Sequence, residues 1–222
     1  MNNIKSINSL NIFIISAPSG AGKTTLVKRL CDDWSFIKPS ISYTTRKKRA
    51  TEEDGLDYYF ITEKEFNKKV EKKEFIEYQN VYENYYGTSS NLISKDIDSG
   101  FDVLLEIDYK GMLDIKKKFP NTTSIYILPP NEKALKERLK NRGEDDIEEI
   151  NARMKSSKNE LKFHKQADYV VTNDDFNKAV KQLKLIILKR KLDLLSFEKW
   201  LSSISSITVS YTHLTLPTIC SV

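Results

Sequence analysis

Residues 16–25 read SAPSGAGKTT. Gly20, Gly22, Lys23 and Thr24 fit the pattern G-x-x-x-x-G-K-[ST], in which a glycine loop turns backbone N–H groups toward phosphate oxygens, the lysine reaches the β and γ phosphates and the hydroxyl holds Mg²⁺. The first position of that pattern holds Ala17 instead of glycine. Ala17 precedes Pro18, and a residue before proline is driven to extended dihedrals with negative φ, where a methyl group is allowed. Glycine's freedom at positive φ is not needed there, so the loop is expected to work with alanine. The expected phosphate seat therefore comprises Ala17, Pro18, Ser19, Gly20, Ala21, Gly22, Lys23, Thr24 and Thr25.

A second cationic group follows in SYTTRKKR, residues 42–49, where Arg46 and Arg49 flank Lys47 and Lys48. Guanidinium forks match phosphate geometry, so beside a phosphate loop this cluster reads as a clamp for a second phosphate. The two histidines, His164 and His213, are not required by such chemistry. Cys31 and Cys220 lie far apart without metal-type spacing, which argues against a zinc site and a disulfide framework.

With these pieces in order, residues 11–191 resemble guanylate kinase. The resemblance rests on SAPSGAGKTTL as the nucleotide loop, SYTTRKKRATEEDGLDYYF as the acceptor segment, and FIEY and NYYGT as base and phosphate contacts. LLEIDYKG resembles the second acidic motif, and RLKNRG with INARM the arginine-bearing lid. The resemblance implies an ATP-dependent enzyme that phosphorylates GMP, with Mg²⁺ accompanying ATP. It places Ser42, Glu77 and Thr88 at guanine, and Arg46, Arg49, Tyr58 and Tyr86 at the GMP phosphate. Asp108 would stand near the acceptor base and, through water, near the metal held by Thr24. Lys23, Arg138, Arg142 and Arg153 would supply the charges around the transferring group, and Asn173 would lie near the donor adenine. Lys110 departs from the family's usual glutamine but touches no residue assigned to chemistry.

Guanine presents N1–H and N2–H₂ donors and an O6 acceptor, which suit the Glu77 carboxylate and a Ser or Thr hydroxyl. A phosphomonoester with a second pKa near 6 is already a dianionic nucleophile at neutral pH, so no enzymic general base is needed. Alignment and charge neutralisation are. Two rivals are a kinase of another phosphorylated acceptor, such as a ribose phosphate, and a non-catalytic module of the same fold that binds phosphopeptides. Glu77 with Ser42 opposes the first; the presence of Lys23, Thr24 and the lid arginines opposes the second.

The elements that must carry these residues alternate. NIFIIS (11–16), DVLLEID (102–108), TSIYIL (123–128) and DYVVT (168–172) read as strands, each followed by helical spacing. The expected fold class is α/β: a three-layer phosphate-loop core, 11–37 and 93–191, around a mainly parallel sheet. Residues 38–92, tyrosine-rich and containing a capping-box helix start at TEKE, predict an inserted small β-rich GMP-binding subdomain. A polar stretch between helices, about 141–154, predicts a helical lid. The Ser/Thr-rich end, 192–222, has no place in the alternation; its VSYTHLTLPTICSV resembles translated adapter sequence, and the segment is expected outside the fold.

The 222 residues carry a net charge of +5, but the lysines are dispersed among glutamates, as on a solvated surface. No apolar run approaches the roughly 18 residues of a membrane span, and the first ten residues do not form a secretion signal. The expectation is a cytoplasmic protein whose partners are ATP and GMP, with no nucleic acid and no membrane. Acceptance of dGMP and the choice between monomer and homo-oligomer stay open.

Overall fold

The computed structural model describes residues 12–81, 83–140 and 147–194, with backbone alone at 147–153 and 193–194. Two compact units are present, Met1–Ile187 and Leu188–Val222. Among the described residues no helix is long and apolar enough to cross a membrane.

β1, Ile12–Ser16, has all five residues buried, as a strand covered on both faces requires. It lies at the centre of a parallel sheet of order β2-β7-β1-β8-β9. The other strands are β2 (Ile37–Ser40), β7 (Asp102–Glu106), β8 (Thr123–Leu128) and β9 (Tyr169–Thr172). The strand period of two divides the core. Phe13 and Ile15 join Leu26, Leu30 and Leu183 on one face. Ile12 and Ile14 join Ile93, Met112 and Ile115 on the other. The first set includes residues of α1 (Lys23–Asp33) and α7 (Phe176–Leu194), the second of α3 (Ser90–Asp98) and α4 (Tyr109–Lys118).

A second sheet, of order β4-β3-β6-β5, contains β3 (Tyr43–Thr44), β4 (Tyr59–Phe60), β5 (Phe75–Val81) and β6 (Asn84–Ser89). Between β4 and β5 runs α2, Glu63–Glu71. Its start is a complete capping box: the Glu65 N–H donates to Thr62 Oγ1, and the Thr62 N–H donates to Glu65 Oε2. Along β5 the register shifts between Phe75 and Glu77, and three consecutive residues, Phe75, Ile76 and Glu77, are buried. Such a bulge re-aims a side chain, here a carboxylate, into the interior.

Three boundaries differ from the sequence reading. The parallel sheet gains β2, which takes residues 38–40 from the expected insertion; Pro39 is tolerated because β2 is an edge strand. Helix α6, Ile147–Leu161, begins inside the stretch expected to lie between helices, so Arg153 stands on a helix. It follows α5, Glu132–Lys140. Helix α7 continues to Leu194, past the expected end of the core at 191.

Candidate active site

The loop after β1 adopts left-handed backbone at two places, Gly20 (φ 86°) and Gly22 (φ 89°). Both are also sterically confined. A Cβ on Gly20 would lie 3.0 Å from Leu135 Cδ1, and one on Gly22 would lie 2.5 Å from Asn173 Nδ2. Among the described residues the non-glycine positions with positive φ are Lys73 and Glu83, so Ala17 lies outside that region. Its methyl group is buried in the core of the β1 and α1 face. Gly22 caps α1 without a side-chain bond, and the first turn of α1 has no acid, so its free amides present positive charge toward the loop.

The parallel pairing of β1 with β7 brings the acidic motif alongside this loop, Ile15 standing opposite Glu106. Strand ends at such a position form the crevice that receives ligands in open α/β sheets. Lys23 Nζ donates to the Ile107 carbonyl at 3.0 Å, and Thr24 Oγ1 donates to Glu106 Oε1. Asp108 caps α4, accepting the Gly111 N–H on Oδ1 at 2.8 Å.

On the outer side of the loop, Gly20, Gly22, Thr25, Arg138, Asn173, Asp174 and Phe176 line a pocket of about 340 Å³. Arg138 donates to the carbonyls of Ala21 (3.2 Å) and Asn173 (3.0 Å). The Asn173 amide also donates to Ala21 O, at 2.9 Å. In this arrangement Arg138 holds the loop backbone, as well as facing the pocket.

In the second sheet, Glu77 and Thr88 are paired across β5 and β6. Thr88 Oγ1 donates to Glu77 Oε1 at 2.6 Å and lies 3.4 Å from Ser42 Oγ. All three side chains are buried. Burial, opposed by the Thr88 hydrogen bond and reinforced by the charge of Asp108, pushes the Glu77 carboxyl up to about 7. Gly111 makes room for it, because a Cβ there would lie 2.8 Å from Glu77 Oε2.

Arg46 and Arg49 converge on Glu52. Arg46 Nη2 donates to Glu52 Oε1 at 2.7 Å, the Arg49 N–H donates to Oε2 at 2.9 Å, and Arg49 Nη1 is 3.8 Å from Oε1. The Arg46 guanidinium lies over the rings of Tyr58 and Phe60, and Tyr58 meets Tyr86 edge-on at 5.9 Å. Burial, with the charge of Glu106 next, pushes the Tyr58 phenol up.

Comparison with known proteins decides the family. The guanylate kinase family model matches residues 9–190. This chain is a member of the guanylate kinase family. It is 45% identical over 196 residues to the guanylate kinase of Coxiella burnetii, covering 88% of this chain and 95% of that protein. It is 44% identical over 180 residues to the guanylate kinase of Rickettsia bellii, covering 81% and 94%. The crystal structure of guanylate kinase from Anaplasma phagocytophilum superposes with a TM-score of 0.67 at 28% identity, over 80% of this chain and 84% of that one. The α/β fold with a mainly parallel sheet, expected from the sequence, is that of this family.

Of the residues that the motifs single out, the guanylate kinase fold gathers Lys23 and Thr24 at the phosphate loop and Arg138 and Asn173 behind it. Arg46, Arg49, Tyr58 and Tyr86 form one group, and Ser42, Glu77 and Thr88 another. Arg142 lies outside the described residues, as does the side chain of Arg153. The sequence reading passed over Glu52, Glu106 and Gly111. Glu106 was within its reach, since the last residue of a strand beside the phosphate-loop strand must face the same crevice.

Proposed function

We propose that the chain transfers the γ-phosphoryl group of ATP to GMP, giving ADP and GDP, by direct in-line attack of the GMP phosphate oxygen. The observation that carries this reading is the buried Glu77–Thr88–Ser42 group beside the Arg46 and Arg49 pair. A carboxylate held in the interior has acceptors for the N1–H and N2–H₂ of guanine, and the hydroxyls can donate to O6. Adenine would leave the carboxylate facing an acceptor. The arginines and the Tyr58 and Tyr86 phenols then hold the acceptor phosphate, with Glu52 keeping the guanidinium groups in place.

On the donor side, the amides of residues 20–25 and Lys23 take the β and γ phosphates, and the pocket at Asn173 takes the adenine. The Thr24 hydroxyl and the Glu106 carboxylate form a pair of hard oxygens that would hold Mg²⁺ brought in with ATP. Bound with ATP, the ion supplies charge neutralisation at the β and γ phosphates. Asp108 would belong to the acceptor side and would reach the metal through water. Arg138, Arg142 and Arg153 stabilise the charge that develops as the phosphoryl group moves. The β-rich insertion serves as the GMP-binding subdomain and the segment near 141–154 as the lid; ATP and GMP are the partners, in the cytoplasm.

A coupled ADP-release assay with ATP and Mg²⁺ tests this across GMP, dGMP, AMP, UMP, CMP and ribose phosphates. GMP should be phosphorylated, and AMP should be rejected by roughly 10⁴ in kcat/KM. Absence of turnover with GMP would overturn the reading.

A further inference from the structure

Helix α6 does more than carry Arg153. Ser157 is fully buried, and its Oγ donates to the Ser19 carbonyl at 3.2 Å. Three residues on, along the same face of the helix, the Glu160 carboxylate accepts the Ser156 hydroxyl on Oε1 at 2.8 Å and stands close enough to the Ser19 amide for that amide to favour its charged form. One helix thus meets a single loop residue with two side chains, Ser157 bonded to its carbonyl and Glu160 beside its amide. The groups that face Glu160 from other elements are Lys23 of α1, Asp108 at the start of α4, Tyr109 of α4 and Tyr126 of β8. Tyr126 also donates from its hydroxyl to the Glu160 carbonyl at 2.8 Å, which ties α6 to a central strand.

We propose that Ser157 and Glu160 are positioning residues for the ATP phosphates: their grip on Ser19 sets the backbone of the phosphate loop and the approach of Lys23. The proposal rests on the kinase reading. Its physical basis is that backbone amides bind phosphate well only when they are already aimed at it, because the ordering is then not charged to binding. Inside the loop, Ala21 N–H donates to the Pro18 carbonyl at 3.2 Å. Outside partners hold it at Ala21, through Arg138 and Asn173, and at Ser19, through α6. Leu135, Leu139 and Met154 form an apolar cluster shared by α5 and α6, and the first two rest on Gly20, between those two grips. Phosphate seat and arginine-bearing helices are therefore one mechanical unit.

The test compares the full chain with its Ser157→Ala, Glu160→Gln, Glu160→Ala and Ser157→Ala/Glu160→Gln variants. ATP dissociation constants come from calorimetry, and kcat, both KM values and the melting temperature are measured alongside. Ser157→Ala and Glu160→Ala should each raise the ATP dissociation constant by about tenfold, the worth of a hydrogen bond to a fixed backbone group. Glu160→Gln keeps one acceptor oxygen and should cost less than Glu160→Ala. The GMP KM should stay within about twofold, and the double variant should lose less than the product of its parts, because both side chains hold one peptide. An unchanged ATP constant in folded variants overturns the proposal, as does a parallel weakening of ATP and GMP. If the unaltered chain bound ATP yet left GMP unphosphorylated, the kinase reading would fall while the ATP constants still decided the clamp.

Discussion

Glu77 sits in a position that favours its protonated form, and this couples ligand binding to pH. Its pKa is raised from 4.5 to about 7, so its contribution to folding is stabilising below pH 4.5 and is lost as pH rises through 7. Above that point the empty protein holds a buried charge. Guanine's donors require the same charge, so GMP affinity should rise between pH 6 and 8 and level off once Glu77 is ionised. In Glu77→Gln the GMP KM should increase more than tenfold at pH 8, consistent with loss of a charged hydrogen bond. Its pH dependence should shrink to that of the GMP phosphate itself, near pH 6. The same variant should melt higher than the wild type at pH 8 and no higher at pH 5, by thermal unfolding. A pH-independent GMP affinity for the wild type would remove the link to Glu77. At the loop, Ala17→Gly should leave kcat/KM within several-fold. Gly22→Ala, with φ at 89° and Asn173 Nδ2 2.5 Å from the new methyl, should lower it by more than a hundredfold. Gly20, Gly22 and Ala17 were legible in the sequence, because the chemistry of the loop is local. Glu52 was not: RATEEDG reads as a solvated acidic turn until folding brings both arginines onto one carboxylate.

Among the elements, α4 links both halves of the site. Asp108 caps it beside the phosphate loop, Gly111 faces Glu77, Asp114 accepts from Gln79 at 2.7 Å, and Lys118 donates to the Ile76 carbonyl at 2.7 Å. Alanine is favoured over glycine in a helix by about 1 kcal/mol. Gly111→Ala should therefore keep or raise the melting temperature, yet raise the GMP KM by about tenfold or more, because the methyl group occupies the space of the Glu77 carboxylate. A steady-state assay with ATP saturating checks this, and an unaltered GMP KM would show that Glu77 can move aside. Periodicity made α4 and the central strands visible in the sequence, through runs such as VLLEI. It did not reveal β2, because IKPS has neither alternation nor an apolar run; pairing with β7 makes it a strand.

At the scale of the whole molecule, the guanylate kinase family match closes at residue 190, while α7 continues to Leu194. A chain ending at Leu194 should therefore keep its GMP kinase activity and melt within about 5 °C of the full protein, a change of roughly 1 to 2 kcal/mol for a domain of this size. A larger drop would make residues 195–222 part of the folded unit. The arrangement of α4 also bears on which changes of chain length the fold can absorb. Its contacts at 108, 111, 114 and 118 recur every three or four residues, one helical turn, so they act as marks on a ruler laid from donor to acceptor. Deleting residue 109 or 110 would turn every later mark by about 100° and draw it back by about 1.5 Å. Gly111, Asp114 and Lys118 would all leave their partners together. Lys110, exposed between two of those marks, can change its side chain freely, but its place in the count is fixed.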